Sequence, residues 1–249
     1  MTRYQASLKH LLISAAVVSS ALALIWFGWY PDPMFRLVGA WNPVKILVGV
    51  DLILGPLLTL IVYRAGKKWL WIDLSIIAVI QLAALGYGLS VIYSERPCYM
   101  VYAVDRYELK ACSEITADEL ARFKSLDSKS FGGLLYVLAR LPSDPDEFNV
   151  LLEDILFRGA KDIALRPEFW ESLSAANLDE IRANGLNPGA LNLTAAQRET
   201  VESYQSDALM PVLLPGLIRD DALVLITDPV TLRVEDFLRI DPWGDNEIQ

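Results

Sequence analysis

Apolar residues collect at the start of the chain in three long runs, Leu11–Tyr30, Val44–Tyr63 and Leu70–Tyr93. Each is close to the ~20 residues that a helix needs to cross a bilayer. After Tyr93 the pattern changes to short apolar clusters separated by acidic and turn-forming residues. The chain therefore reads as a membrane protein: three N-terminal transmembrane helices within residues 1–93, then a mixed α+β extracytoplasmic domain over residues 94–249.

Local signals divide that second part. Thr116-Ala117-Asp118-Glu119 is a capping box, predicting a helix to about Leu126. Asp144-Pro145-Asp146-Glu147 opens another, with Phe148, Leu151, Leu152, Ile155 and Leu156 at helical spacing. Pro167 at a first turn predicts a helix through Leu173, and Thr194 with Gln197 caps one reaching about Asp207. Val212–Ile218 and Ala222–Thr227 read as a hairpin turning at Arg219-Asp220-Asp221, with Leu232–Ile240 a further strand. Asn184 to Gly189 reads as a loop.

Charge gives the orientation. Residues 1–92 balance at +4, so the remainder carries -13 of the net -9. Arg3 and Lys9 precede the first run, and Arg64-Ala65-Gly66-Lys67-Lys68 separates the second from the third. The loop from Pro31 to Pro43 holds Arg36 against Asp32. Under the positive-inside rule the N-terminus and the Arg64–Lys68 loop are cytoplasmic, and three crossings put the acidic domain outside. So acidic a domain disfavours nucleic-acid binding. A cleavable signal peptide is the alternative for the first run, since Ser19-Ser20-Ala21-Leu22-Ala23 supplies small residues. The unbroken continuation through Leu24-Ile25-Trp26-Phe27, ending at Trp29 and Tyr30, favours an uncleaved anchor with an interfacial aromatic belt.

Two cysteines, Cys98 and Cys112, flank a segment that reads as two short strands turning near Asp105-Arg106. Such a hairpin brings its ends together, and an oxidising compartment preserves the bond, so a structural disulfide is expected. A redox or metal pair is the other reading, but the spacing is not Cys-x-x-Cys and no further ligand stands nearby.

Polar residues inside the apolar runs are where chemistry concentrates. Asp51 lies ~10 Å below the outer end of the second run by helix rise, and a carboxylate there needs a partner, water or the bundle interior. Gln81 in the third run is its candidate partner. Gly49, Gly55, Gly86 and Gly88 permit close helix contact, while Pro56 removes a backbone donor and predicts a kink. Asp51, Gly55, Pro56 and Gln81 are therefore the candidate partner-binding set, with helix packing as the simpler role for the same residues. An intramembrane aspartyl dyad of Asp51 and Asp73 fails, because their depths differ by ~13 Å. No phosphate loop, nucleophile elbow, HExxH or calcium loop is present. With one histidine, His10, a histidine metal site or triad is nearly excluded. Neither catalytic residues nor metal or cofactor ligands are expected.

Several stretches also resemble the type IV pilin accessory protein family (the TfpX/TfpZ type): Trp29-Tyr30-Pro31-Asp32-Pro33, Val50 through Tyr63, Asp73-Leu74, Gln81 through Gly88, Arg96-Pro97 and Val104-Asp105-Arg106-Tyr107. The segment Val50-Asp51-Leu52-Ile53-Leu54-Gly55-Pro56-Leu57-Leu58-Thr59-Leu60 is the most specific, since hydrophobicity alone does not demand it. The resemblance covers Trp29 to Tyr107 and does not include the cysteines. It implies a multi-pass protein of the bacterial inner membrane, with a periplasmic C-terminal domain. Such a protein assists its cognate pilin as a chaperone-like assembly factor, without catalysis. The competing reading is an envelope sensor or ligand-binding membrane protein, with an unknown hydrolase further behind. A sensor would need a cytoplasmic output domain, and the expected cytoplasmic parts are short.

Overall fold

The computed structural model describes residues 2–123, 133–206 and 209–244. The chain divides into two compact units, residues 1–96 and 97–249.

The first unit is helical. Helices α1 (Arg3–Trp29), α3 (Trp41–Val62) and α4 (Leu70–Ser94) are each long and apolar enough to cross a membrane. The short helix α2 (Met34–Leu37) lies between α1 and α3. Thr2 and Gln5 form a capping box at the start of α1, and Asp73 sits in the first turn of α4, where the helix dipole favours an acid. Two segments widen to π-helical turns, Leu24–Trp29 and Val50–Leu54. The second lies immediately before Gly55-Pro56. Proline cannot donate to the helical ladder and crowds the preceding turn, so the expected kink is taken up as a π turn.

The C-terminal ends of α1 and α4 meet through aromatics. Tyr30 Oη donates to Ile92 O at 2.8 Å, and the Trp29 and Tyr93 rings lie 5.0 Å apart, edge on. Phe35, 2% exposed, packs between Trp26 (4.6 Å) and Trp41 (5.1 Å) and closes the α1–α3 connection.

The second unit is built on a sheet. Among the described residues it has seven strands, β1 (Pro97–Ala103), β2 (Arg106–Ala111), β3 (Leu135–Ala139), β4 (Trp170–Ser172), β5 (Val212–Ile218), β6 (Asp221–Thr227) and β7 (Val234–Leu238), in spatial order β4-β3-β1-β2-β5-β6-β7. β3 runs parallel to β1 and β5 parallel to β2, whereas the other neighbours are antiparallel. Helices α5 (Ala117–Leu120), α6 (Pro145–Phe157), α7 (Ala175–Ala183) and α8 (Ala195–Ser203) complete it. One core gathers Val101, Val137 and Trp170 with Leu120, Phe123 and Leu151. Another joins Leu213, Val224 and Ile226 to Val201 of α8. Cys98 and Cys112 are disulfide-bonded across the base of the β1–β2 hairpin, with Cα atoms 5.1 Å apart.

Three expectations change. The helix expected from Pro167 to Leu173 is a single 3-10 turn, Pro167–Phe169, followed by β4. Pairing with β3, together with burial of Trp170, overrides the proline start signal. The helix from Thr116 stops at Leu120 because Phe123 turns into the core, and its expected end at Leu126 lies outside the described residues. The helix at Thr194 ends at Ser203 rather than near Asp207, and Tyr204 Oη then bonds Asp236 Oδ2 at 2.9 Å.

Candidate functional site in the helical unit

A π turn shifts the backbone register so that a carbonyl faces the N–H five residues ahead. For Asp51 that residue is Pro56, which has no N–H. Gln81 from α4 supplies the donor. Its Nε2 lies 3.4 Å from Asp51 O and 3.3 Å from Asp51 Oδ1. Asp51 and Gln81 are 5% and 9% exposed. The amide of Gln81 reaches this far because Gly55 leaves room: a Cβ there would stand 2.7 Å from Gln81 Cδ. All four residues of the candidate partner-binding set thus meet in one place, Pro56 by shaping the turn and Gly55 by lacking a side chain.

Helix α1 adds residues that sequence reasoning did not assign to this place. Ser7 Oγ donates to Pro56 O at 2.8 Å. His10 Nδ1 and Thr59 Oγ1 share a hydrogen bond of 2.6 Å, and Thr59 is buried. Ser14, also buried, lies further along α1. Nothing in the isolated sequence fixes how α1 aligns with α3. The available signal was the spacing of Ser7, His10 and Ser14, which puts small or polar groups on one face of an otherwise apolar helix.

Beside these contacts lies a cavity of about 130 Å³, lined by His10, Ile13, Ser14, Val17, Asp51, Ala78, Gln81, Leu82 and Leu85. Ile13 and Leu82, on its two walls, are exposed, so it opens between α1 and α4. Asp73 takes no part. It pairs with Lys67 near the start of α4 and is not among the residues lining the cavity. No group of three or more His, Cys, Asp or Glu residues among the described residues could hold a metal ion. A second groove, of about 340 Å³, is apolar and lies between α3 and α4 beside Pro43, Leu47, Val50, Ala84, Gly88 and Val91.

Similarity to known proteins decides how this architecture is classed. The fimbrial assembly protein of serogroup I of Dichelobacter nodosus is 33% identical over 199 residues, 78% of this chain and 76% of the relative. That of serogroup E1 is 32% identical over 199 residues, with the same coverage. The chain belongs to the fimbrial assembly protein family. A third member, from serogroups C1 and C2 of the same organism, is 37% identical over 113 residues, which is 45% of this chain and 86% of that relative. The family is one of type IV pilus biogenesis, so the resemblance carried by the Val50–Tyr63 segment is borne out. No family model matches the chain, and no solved structure matches it.

Proposed function

We propose that this fimbrial assembly protein is an inner-membrane accessory factor that binds a cognate pilin and assists its stability or entry into the pilus, without catalysis. In this reading α1, α3 and α4 cross the membrane, with the N-terminus and the Arg64–Lys68 loop cytoplasmic and the sheet unit periplasmic. The basic residues flanking those helices support the orientation. The relatives' naming supports the assembly role.

The observation that carries the binding role is the Asp51–Gln81 pair beside Gly55. Polar groups at this depth in a membrane bundle are costly and usually serve a partner or pathway. Here they sit at a cavity that opens between two helices, where a pilin's apolar helix can lie. The test places a photocrosslinking residue at Ile13 or Leu82 in cells that make the cognate pilin. Pilin captured at these positions, and not from the lipid-facing Phe27, is the expected result. Equal capture from all three, or none from any, removes the reading.

A further inference from the structure

The cavity between α1 and α4 has a specific chemistry. Asp51 forms no ion pair among the described residues, while Arg36 is matched with Asp32 and Lys67 with Asp73 in the same unit. Gln81 also lines the cavity, and its Oε1 is buried with no hydrogen-bond partner among the described residues. When His10 Nδ1 donates to Thr59, the ring's Nε2 presents a lone pair. A carboxylate, an amide oxygen and an imidazole nitrogen are thus available as acceptors. The chemical complement is a group that carries several N–H donors and a positive charge. An ammonium has three donors and no acceptor.

Size and lining narrow the choice. A dry cavity of roughly 150 Å³ accepts a molecule as large as benzene, so about 130 Å³ suits a group of about five heavy atoms. Ile13, Val17, Leu82 and Leu85 form apolar walls suited to methylenes. We propose that this cavity binds a primary alkylammonium group, its nitrogen against Asp51 and Gln81 and its alkyl stem along the apolar walls. The inference deepens the pilin-binding reading by naming the chemistry that a partner helix would present there. Two sources supply it, a lysine side chain or a free chain terminus.

Equilibrium dialysis of labelled n-butylammonium against the full chain in detergent micelles, with protein-free micelles as blank, tests the site. Saturable binding is expected, competed by unlabelled n-butylammonium and not by n-butanol. Asp51→Asn, which keeps shape and removes charge, should weaken it at least ~10-fold. Ser14→Leu, which fills the cavity and leaves Asp51 in place, should abolish it. Competition by the α-amine of leucine methylamide or by the side-chain amine of N-acetyl-lysine methylamide then separates the two sources. Competition by butanol equal to that by the amine overturns the proposal, as does undiminished binding in either variant. Amine binding without pilin crosslinking would remove the pilin reading and leave the amine site. Crosslinking without amine binding would do the reverse.

Discussion

Gln81 lies directly over Gly55, its amide filling the space that any side chain at that position would occupy. The neighbour is the mobile end of a glutamine rather than backbone, so alanine at residue 55 displaces the amide instead of breaking the bundle. Asp51 then loses its donor. Gly55→Ala should destabilise the helical unit by about 1 kcal/mol, the scale of a hydrogen bond between membrane helices. In a Gln81→Ala background the same change should be neutral, or stabilising by up to ~1 kcal/mol from helix propensity. A thermodynamic cycle in detergent checks this. Additive effects would show that the two residues act separately.

Asp51 variants separate charge from polarity. Asp51→Asn keeps the size and the bond to Gln81, whereas Asp51→Leu keeps neither. If polarity holds the pilin, the Asn variant should retain most crosslinking and the Leu variant should lose it. If charge does, as an ammonium partner requires, both should fail. Crosslinking equal to the parent in both variants, at normal abundance, would leave Asp51 with a packing role alone.

Reporter fusions test the orientation. A periplasm-active phosphatase joined after Lys110 should be active, and one joined at Gly66 should be silent. Cytoplasmic labelling of the sheet unit would overturn the topology.

The Cys98–Cys112 bond closes a short loop, separated by 14 positions in sequence. Replacing both cysteines by alanine should lower the stability of the sheet unit by about 3 kcal/mol. Denaturant unfolding with and without reductant measures it, and the double variant should show no further response to reductant.

Glu119 reports on the α5 cap. The Lys161 ammonium, together with the Thr116 backbone and hydroxyl, holds its carboxyl down at about 2, against 4.5 when unperturbed. Because the folded value is depressed, the associated stabilisation is complete above about 4.5 and is lost as pH falls from there through about 2. Carboxyl NMR should give a midpoint near 2 for Glu119 that rises in Lys161→Met. An unchanged midpoint would assign the shift to the cap alone.

The long helices, the α6 start at Asp144-Pro145 and the β5–β6 hairpin were legible because each depends on local chemistry: an unbroken apolar run, an Asp cap before proline, a polar turn between two apolar runs. β3 was not, since Leu135-Tyr136-Val137-Leu138-Ala139 is buried along most of its length and shows no alternation that distinguishes strand from buried helix. α7 was missed because its capping box, N-cap Ser174 with Asn177 accepting from the Ser174 N–H, has asparagine where Glu or Gln is the usual signature, and the helix carries only Leu178 and Ile181 as large apolar residues. At the candidate site, Asp51 and Gln81 announced themselves as polar residues in apolar surroundings. The pairing of His10 with Thr59 was not legible, because it depends on how two helices align.

The middle of the sheet is a seam between parts of the chain made far apart in time. β2 ends at Ala111, and its neighbour β5 does not begin until Val212. During synthesis the β1–β2 hairpin can form early, yet one edge of β2, bearing Tyr107 and Leu109, stays unpaired until nearly the whole chain has been made. Long-range pairings of this kind fold slowly and leave sticky edges exposed meanwhile. A chain cut short before residue 212 would carry that edge permanently, so truncated products of this protein should be lost to aggregation or proteolysis rather than persist as partly active fragments.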